Sequence, residues 1–282
     1  MTILCEINNG KKIWPPPIWI MRQAGRYLPE YNIIRKKAGS FLDLCYNPKY
    51  SSEVTLQPIK RFNLDAAIIF ADILLIAENL NLKLQFEDSV GPIITPTITN
   101  SLNLDKVIQV ENSRLMKVMD SIDLSRNLLE KEKSLIGFCG APWTVLTYLI
   151  NGTSTRDFQD TISWMHNNKT LAAELLDVLT VLSIDYLSLQ IEAGADVIKI
   201  FDTWSGVLER EDFLNWVVQP TKNIVSAIKN KYKAVPVIGF PKGAKDFYEV
   251  YIDETGVDII ALDHDLNRDW CRDTLQQKAI LQ

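Results

Sequence analysis

Five side chains along this 282-residue sequence have a type and a setting that could do chemistry: Arg22, Arg26, Asp72, Tyr148 and Thr203. The two arginines flank Gln23, Ala24 and Gly25 in one short segment. Two guanidinium forks in one loop suit a polycarboxylate, because each can hold a carboxylate through two parallel charge-assisted bonds. The small Ala24–Gly25 pair between them lets a ligand come close to the backbone. Asp72 is a lone acid within the apolar run 66–77, where a carboxylate costs free energy unless a cation or a hydrogen-bond donor meets it. Tyr148, in TVLTYLI, and Thr203, in FDTWSG, each offer a hydroxyl. Plainer structural roles stand beside these. The arginines could bridge local acids at the surface, Asp72 could cap the following helix, and Tyr148 could be a core aromatic. Asp202 and Asp263 read as turn caps, His264 as a solvent-facing turn residue, and Trp14, Trp19, Trp143 and Trp164 as packing residues.

The elements that must position these side chains are short β-branched runs separated by longer amphipathic stretches. Strands are predicted at Ile18–Met21, Ala66–Phe70, Leu135–Phe138, Val197–Phe201, Val235–Phe240, Asp258–Leu262 and Ala279–Leu281. Each run is apolar on both faces, as parallel strands covered by helices are. Helices are predicted over Lys49–Phe62, Asp105–Lys131, Lys169–Ala193, Glu211–Lys231, Lys245–Glu254 and Arg268–Gln277. Leu84–Asn100, with Gly91, Pro92 and Pro96, reads as an irregular excursion or small hairpin. This alternation argues for an α/β fold of βα units, and seven strands favour a (β/α)₈ TIM-type barrel over an open sheet. Neither G-x-G-x-x-G nor the P-loop pattern is present. In such barrels the site gathers at the C-terminal strand ends, and the five residues above follow the first four runs. No linker or low-complexity tract divides the chain, which reads as one domain over residues 1–282.

Composition narrows the function. Lys+Arg 30 against Asp+Glu 35 gives a net charge of −5, which does not suit bulk nucleic-acid binding. An anionic ligand must then be held by a few local cations. The four cysteines are scattered and the two histidines stand alone, which fits neither a disulfide framework nor a metal centre. No apolar run reaches the roughly 20 residues that span a bilayer, so the expectation is a cytoplasmic protein without a membrane partner.

Two longer segments point further. WIMRQAGRYLPEY (Trp19–Tyr31) and GFCGAPWTVLTYLING (Gly137–Gly152) resemble the signature segments of the uroporphyrinogen decarboxylase family. AAIIFADIL, IKIFDTWSG, VPVIGFPKG and ETGVDIIALD are similar in the same order along nearly the whole chain. The resemblance implies an eight-stranded barrel and a cytoplasmic homodimer. The implied activity is a cofactor-free carboxy-lyase of haem and porphyrin biosynthesis that turns four acetate arms of uroporphyrinogen III into the methyls of coproporphyrinogen III. It further implies that Arg22, Gln23, Ala24, Gly25 and Arg26 bind the substrate's carboxylates, while Asp72 meets its pyrrole N–H groups and is catalytic. Tyr148 and Thr203 would make further contacts, and Arg35, Tyr148 or a water would be the proton donor.

Two other readings remain open: a porphyrinogen-binding remnant, and a corrinoid- or zinc-dependent methyltransferase on a related barrel, although no His-x-Cys set is present. The resemblance also implies a late histidine and a Gly-Asn-Leu-Asp-Pro segment that are not found before Gln282. The expectation is therefore a barrel lacking its last strand–helix unit, aggregation-prone and nearly inactive as it stands.

Overall fold

The computed structural model describes residues 1–87, 90–98 and 110–282. Among the described residues eight short strands form: β1 Ala66–Ile68, β2 Lys83–Glu87, β3 Gly91–Thr95, β4 Ser134–Gly140, β5 Val197–Asp202, β6 Val237–Pro241, β7 Ile259–Ile260 and β8 Ile280–Leu281. β4 and β5 are buried along their whole length, as doubly covered parallel strands should be. Six strands make one parallel sheet in the order β1-β4-β5-β6-β7-β8. β2 and β3 form a separate antiparallel hairpin where the irregular excursion was predicted.

The helices are α1 Ile3–Asn8, α2 Pro29–Ala38, α3 Phe41–Cys45, α4 Pro48–Phe62, α5 Met116–Leu128, α6 Pro142–Asn151, α7 Gln159–Asn167, α8 Lys169–Glu192, α9 Arg210–Asp212, α10 Gln219–Lys231, α11 Tyr248–Thr255 and α12 Arg268–Trp270. Local chemistry sets their ends. α4 starts with Pro48 behind Asn47, whose side chain accepts from the Tyr50 amide at 3.1 Å, and stops at Asn63 in a left-handed conformation. α6 likewise starts at Pro142 and stops at Gly152, φ +78°. The predicted helix 105–131 is found over Met116–Leu128, and residues 105–109 lie outside the described residues.

One predicted strand does not form. Ile18–Met21 runs beside β1, but side chains take the place of a ladder. The Ile18 amide donates to Asp65 Oδ2 at 2.7 Å, and the Asp65 amide to the Ile18 carbonyl at 2.9 Å. Gln23 accepts from the Ile20 amide through Oε1 and donates through Nε2 to the Ala66 carbonyl. Ile18–Met21, predicted as a strand from its apolar run, lies beside β1 without becoming one because its backbone groups are satisfied by Asp65 and Gln23.

The sheet curls. The Lys199 amine, on the central strand β5, sits 4.8 Å from the Trp19 ring beside β1 and 5.1 Å from the Phe240 ring on β6. It also donates to Gln282 Oε1, just past β8, at 2.7 Å. Groups from both flanks of the sheet meet on one amine, as the βα units of a TIM-type barrel require. Among the described residues β1 and β8 are the two edges of this sheet.

Candidate active site

The C-terminal ends of β1, β4 and β5 open into a cleft of about 450 Å³. Its polar wall is Arg22, Asp72, Tyr148 and Thr203, and its apolar wall includes Ile68, Phe70, Phe138 and Phe201. A second cavity of about 480 Å³ adjoins it, lined by Arg26 and Arg35 and sharing Tyr31, Phe41 and Phe86 with the first. Three guanidinium groups thus border two adjoining cavities, Arg22 with the Asp72 carboxylate in the first and Arg26 with Arg35 in the second.

Asp72 is placed by the segment after β1. The hydroxyls of Ser51 and Thr55, on α4, bind the carbonyl and the amide of Phe70 at 2.8 and 2.9 Å, fixing the chain just before it turns. Asp72 Oδ1 then accepts from the Leu74 amide at 2.8 Å, a local turn of the kind aspartate favours. Among the described residues Oδ2 has no hydrogen-bond donor, so one oxygen holds the turn and the other is left for the cleft. Gly140, at the end of β4, makes this seat possible. A Cβ there would fall 2.6 Å from the Ile73 carbonyl oxygen, and the Asp72 segment would have to move.

The arginine loop hangs on β1 through Gln23, which is 1% exposed and whose carbonyl also accepts from the Tyr27 hydroxyl. Gln23 is therefore an anchor: its amide is committed to backbone groups and it does not border the cleft. Ala24 borders the cleft and Gly25 does not, and a Cβ on Gly25 would meet only ordinary contact with Tyr27 at 3.6 Å. Arg22 is exposed and makes no salt bridge among the described residues, so its fork is available. Arg35 is half-buried in the adjoining cavity and donates to the Gly39 carbonyl at 2.7 Å.

Tyr148 and Thr203 face Asp72 from the ends of α6 and β5. Tyr148 is buried, and its hydroxyl accepts a hydrogen bond from the Trp204 indole at 3.3 Å. Asp202 is neither a cap nor exposed: it is 1% exposed, with Oδ1 accepting from Thr144 at 2.6 Å and Oδ2 without a partner. Asp263 is architectural, accepting from the Gly243 amide and the Tyr248 hydroxyl. His264 is exposed, as expected. Trp143 is fully buried, whereas Trp14 is 90% exposed and packs on nothing of consequence for the core.

The electrostatics of the cleft follow from its apolar walls. Burial pushes the Asp72 carboxyl up to about 6, while the Leu74 amide and the positive charge of Arg22 pull it back. Burial, opposed only by the Thr144 hydroxyl, pushes Asp202 up to about 7. The Tyr148 phenol is raised, first by burial and also by the nearby charge of Asp72, with the Trp204 bond acting the other way. A perturbed carboxylate and a perturbed phenol, Asp72 and Tyr148, lining one cleft are a mark of a functional site. Among the described residues no three His, Cys, Asp or Glu side chains converge as a metal site. No helix among them is long and apolar enough to cross a membrane.

Comparison with known proteins agrees with this geometry. The family model described as "Uroporphyrinogen decarboxylase (URO-D)" matches residues 2–282. The chain is 48% identical over 261 residues to a uroporphyrinogen decarboxylase of Chelativorans sp. (strain BNC1), covering 92% of this chain and 76% of that one. It is 44% identical over 274 residues to that of Rhodospirillum rubrum, covering 97% and 78%. Among solved structures, a methyltransferase from Methanosarcina mazei superposes with a TM-score of 0.78 over 99% of this chain and 80% of that one, at 17% identity, a likeness of fold alone. A cleft with arginines along its border and a buried-edge carboxylate, on a barrel whose sequence matches from residue 2 to residue 282, identifies the chain as a member of the uroporphyrinogen decarboxylase family.

Proposed function

We propose that the cleft decarboxylates the acetate arms of uroporphyrinogen with Asp72 as the catalytic carboxylate and Arg22 and Arg26 as the carboxylate clamps. The observation that carries these roles is the free Oδ2 of Asp72 in a cleft bordered by unpaired Arg22. The substrate is a flexible ring of four pyrroles whose N–H groups can converge on one acceptor. A carboxylate can accept several such bonds, which curls the ring and holds it in one conformation.

The chemistry then needs only a proton and an electron sink. Protonation of a pyrrole ring carbon gives a cation. The C–C bond to the acetate carboxylate breaks, its electron pair flows into that cation, and CO₂ leaves. The exocyclic methylene that remains takes up a proton to become methyl, and the ring loses the proton it first gained. The net change per arm is loss of CO₂ and gain of one proton, so the substrate's own ring serves as the sink. Asp72, ionised, opposes the positive charge that develops on the ring within an apolar cleft, where such a charge is otherwise poorly solvated. Arg22 orients the arm that reacts, and Arg26 and Arg35 in the adjoining cavity receive other arms. Tyr148 and Thr203 contact the ring from the opposite wall, and Tyr148, Arg35 or a bound water supplies the first proton.

The same reading makes the protein a cytoplasmic homodimer. Trp14, Ile18, Ile20 and Tyr27 are exposed within one segment and Phe62 stacks on Tyr27, a surface that pairing would cover. The test of the activity is anaerobic incubation of the purified chain with uroporphyrinogen III, followed by separation of the oxidised products. Stepwise appearance of hepta- to tetracarboxylic porphyrins is the expected result, and unchanged octacarboxylic porphyrin with a folded protein would reject the reading.

A further inference from the structure

We propose that Trp204 is a positioning residue that fixes the Tyr148 hydroxyl as a hydrogen-bond donor toward the bound tetrapyrrole. The inference rests on the reading above, in which Tyr148 touches substrate, and adds what determines the direction of that contact. An indole N–H can only donate, and the Trp204 indole donates to the Tyr148 oxygen at 3.3 Å. The phenolic proton is then directed elsewhere. Among the described residues no acceptor takes it, and Tyr148 lies on the cleft wall. An acceptor group of the substrate is what that proton would meet.

The indole could not play this part if the residue moved, and three contacts hold Trp204. The Trp204 amide donates to Thr144 Oγ1 at 3.1 Å, and its carbonyl accepts from the Trp143 indole at 3.0 Å. Its ring packs edge-on against Phe158 with centroids 4.8 Å apart. Because Thr144 Oγ1 accepts from that amide, its own proton is free to donate to Asp202 Oδ1, the 2.6 Å bond on the fully enclosed acid. The donor directions run outward from Trp204: its amide to Thr144 and Thr144 to Asp202 on one side, its indole to Tyr148 on the other. The buried Asp202 thereby acquires a purpose, its Oδ1 being the terminal acceptor that sets the Thr144 hydroxyl.

The experiment is a double-mutant cycle of Trp204→Phe and Tyr148→Phe, with kcat/KM for uroporphyrinogen read beside thermal melting. Trp204→Phe keeps an aromatic ring against Phe158 while removing the donor, with melting to report the lost ring volume, and we expect roughly a tenfold loss of kcat/KM from releasing one oriented hydrogen bond. In the Tyr148→Phe background the same change should cost nothing further, since no hydroxyl remains to orient. Additive losses, or a Trp204→Phe protein as active as the parent, would overturn the proposal. A fully active Tyr148→Phe protein would instead remove Tyr148 from the substrate contacts, a separate failure that leaves the decarboxylase activity itself intact. If Trp204→Phe does not fold, Thr144→Ser against Thr144→Val poses the same question. Serine keeps the hydroxyl between Asp202 and the Trp204 amide and should retain activity that valine loses, and equal activities would overturn the proposal.

Discussion

Replacing Asp72 with asparagine separates charge from shape. Asparagine keeps an oxygen for the Leu74 amide, so the turn that seats the residue at 2.8 Å survives. The other oxygen becomes an amide nitrogen, which cannot accept pyrrole N–H bonds and carries no negative charge. A carboxylate about 4 Å from a developing cation, at an effective dielectric near 20, is worth about 4 kcal/mol. Loss of one well-placed electrostatic stabiliser is typically measured at about 2.7–4 kcal/mol, a fall of roughly 10²–10³ in kcat. The stability change should have the opposite sign. Burial raises the folded-state carboxyl from 3.8 to about 6, so at pH 7 the ionised group opposes folding and its removal does not lower the melting temperature. Steady-state kinetics and calorimetry on the same preparation read both numbers. Near-parental kcat in a folded Asp72→Asn protein would refute the catalytic role, and a large fall in melting temperature would show the carboxylate to be structural.

Three other perturbations follow from the same geometry. Arg22→Lys and Arg26→Lys should each raise KM about tenfold or more, because an ammonium cannot make the two-pronged bond to a carboxylate, and binding should weaken as salt rises; titration with a polycarboxylated porphyrin at two ionic strengths checks this. Gly140→Ala puts a methyl 2.6 Å from the Ile73 carbonyl oxygen and should lower kcat by displacing Asp72, with secondary structure by circular dichroism unchanged. Lys199, which burial pulls down from 10.5 to about 7, costs stability in full below about pH 7 and progressively less up to 10.5. Lys199→Met should therefore melt higher than the parent at pH 6, with the gap narrowing at pH 10.

Much of this was legible in the sequence, and what was not has identifiable causes. Val197–Phe201 was read as a strand and the strand is Val197–Asp202, because a β-branched run buried on both faces has few other solutions. Lys49–Phe62 and Lys169–Ala193 were found within a residue at each end, since one has a buried stripe and both are long. Pro142–Asn151 was missed as a helix: nine of its ten residues are buried, so there was no polar face to give a period. Ile18–Met21 misled because a run apolar on both faces cannot reveal that Gln23 and Asp65 will take the neighbouring strand's place. At the site, Asp72 stood out as an acid in an apolar run, and the structure gives it both the turn role and a free oxygen. Arg22 and Arg26 were visible as a pair, yet the division of the hollow that separates them depends on Tyr31, Phe41 and Phe86 from distant parts of the chain. Asp202 was read as a cap because acids after strands usually are. Its burial beneath Thr144 is a tertiary fact, and an FDTW motif with a threonine three residues before a TY pair was the only hint.

The central claim is that an ionised Asp72 drives decarboxylation, and the pH dependence of kcat/KM tests it most directly. A base whose folded pKa is about 6 is ionised above that value, so kcat/KM should be level near pH 7.5 and fall tenfold per unit below about 6. Arg22 lowers that pKa, so Arg22→Gln should move the acid limb to higher pH while the protein stays folded. A profile flat between pH 5 and 8, or a limb that Arg22→Gln leaves in place, would contradict the assignment of Asp72 as the catalytic carboxylate.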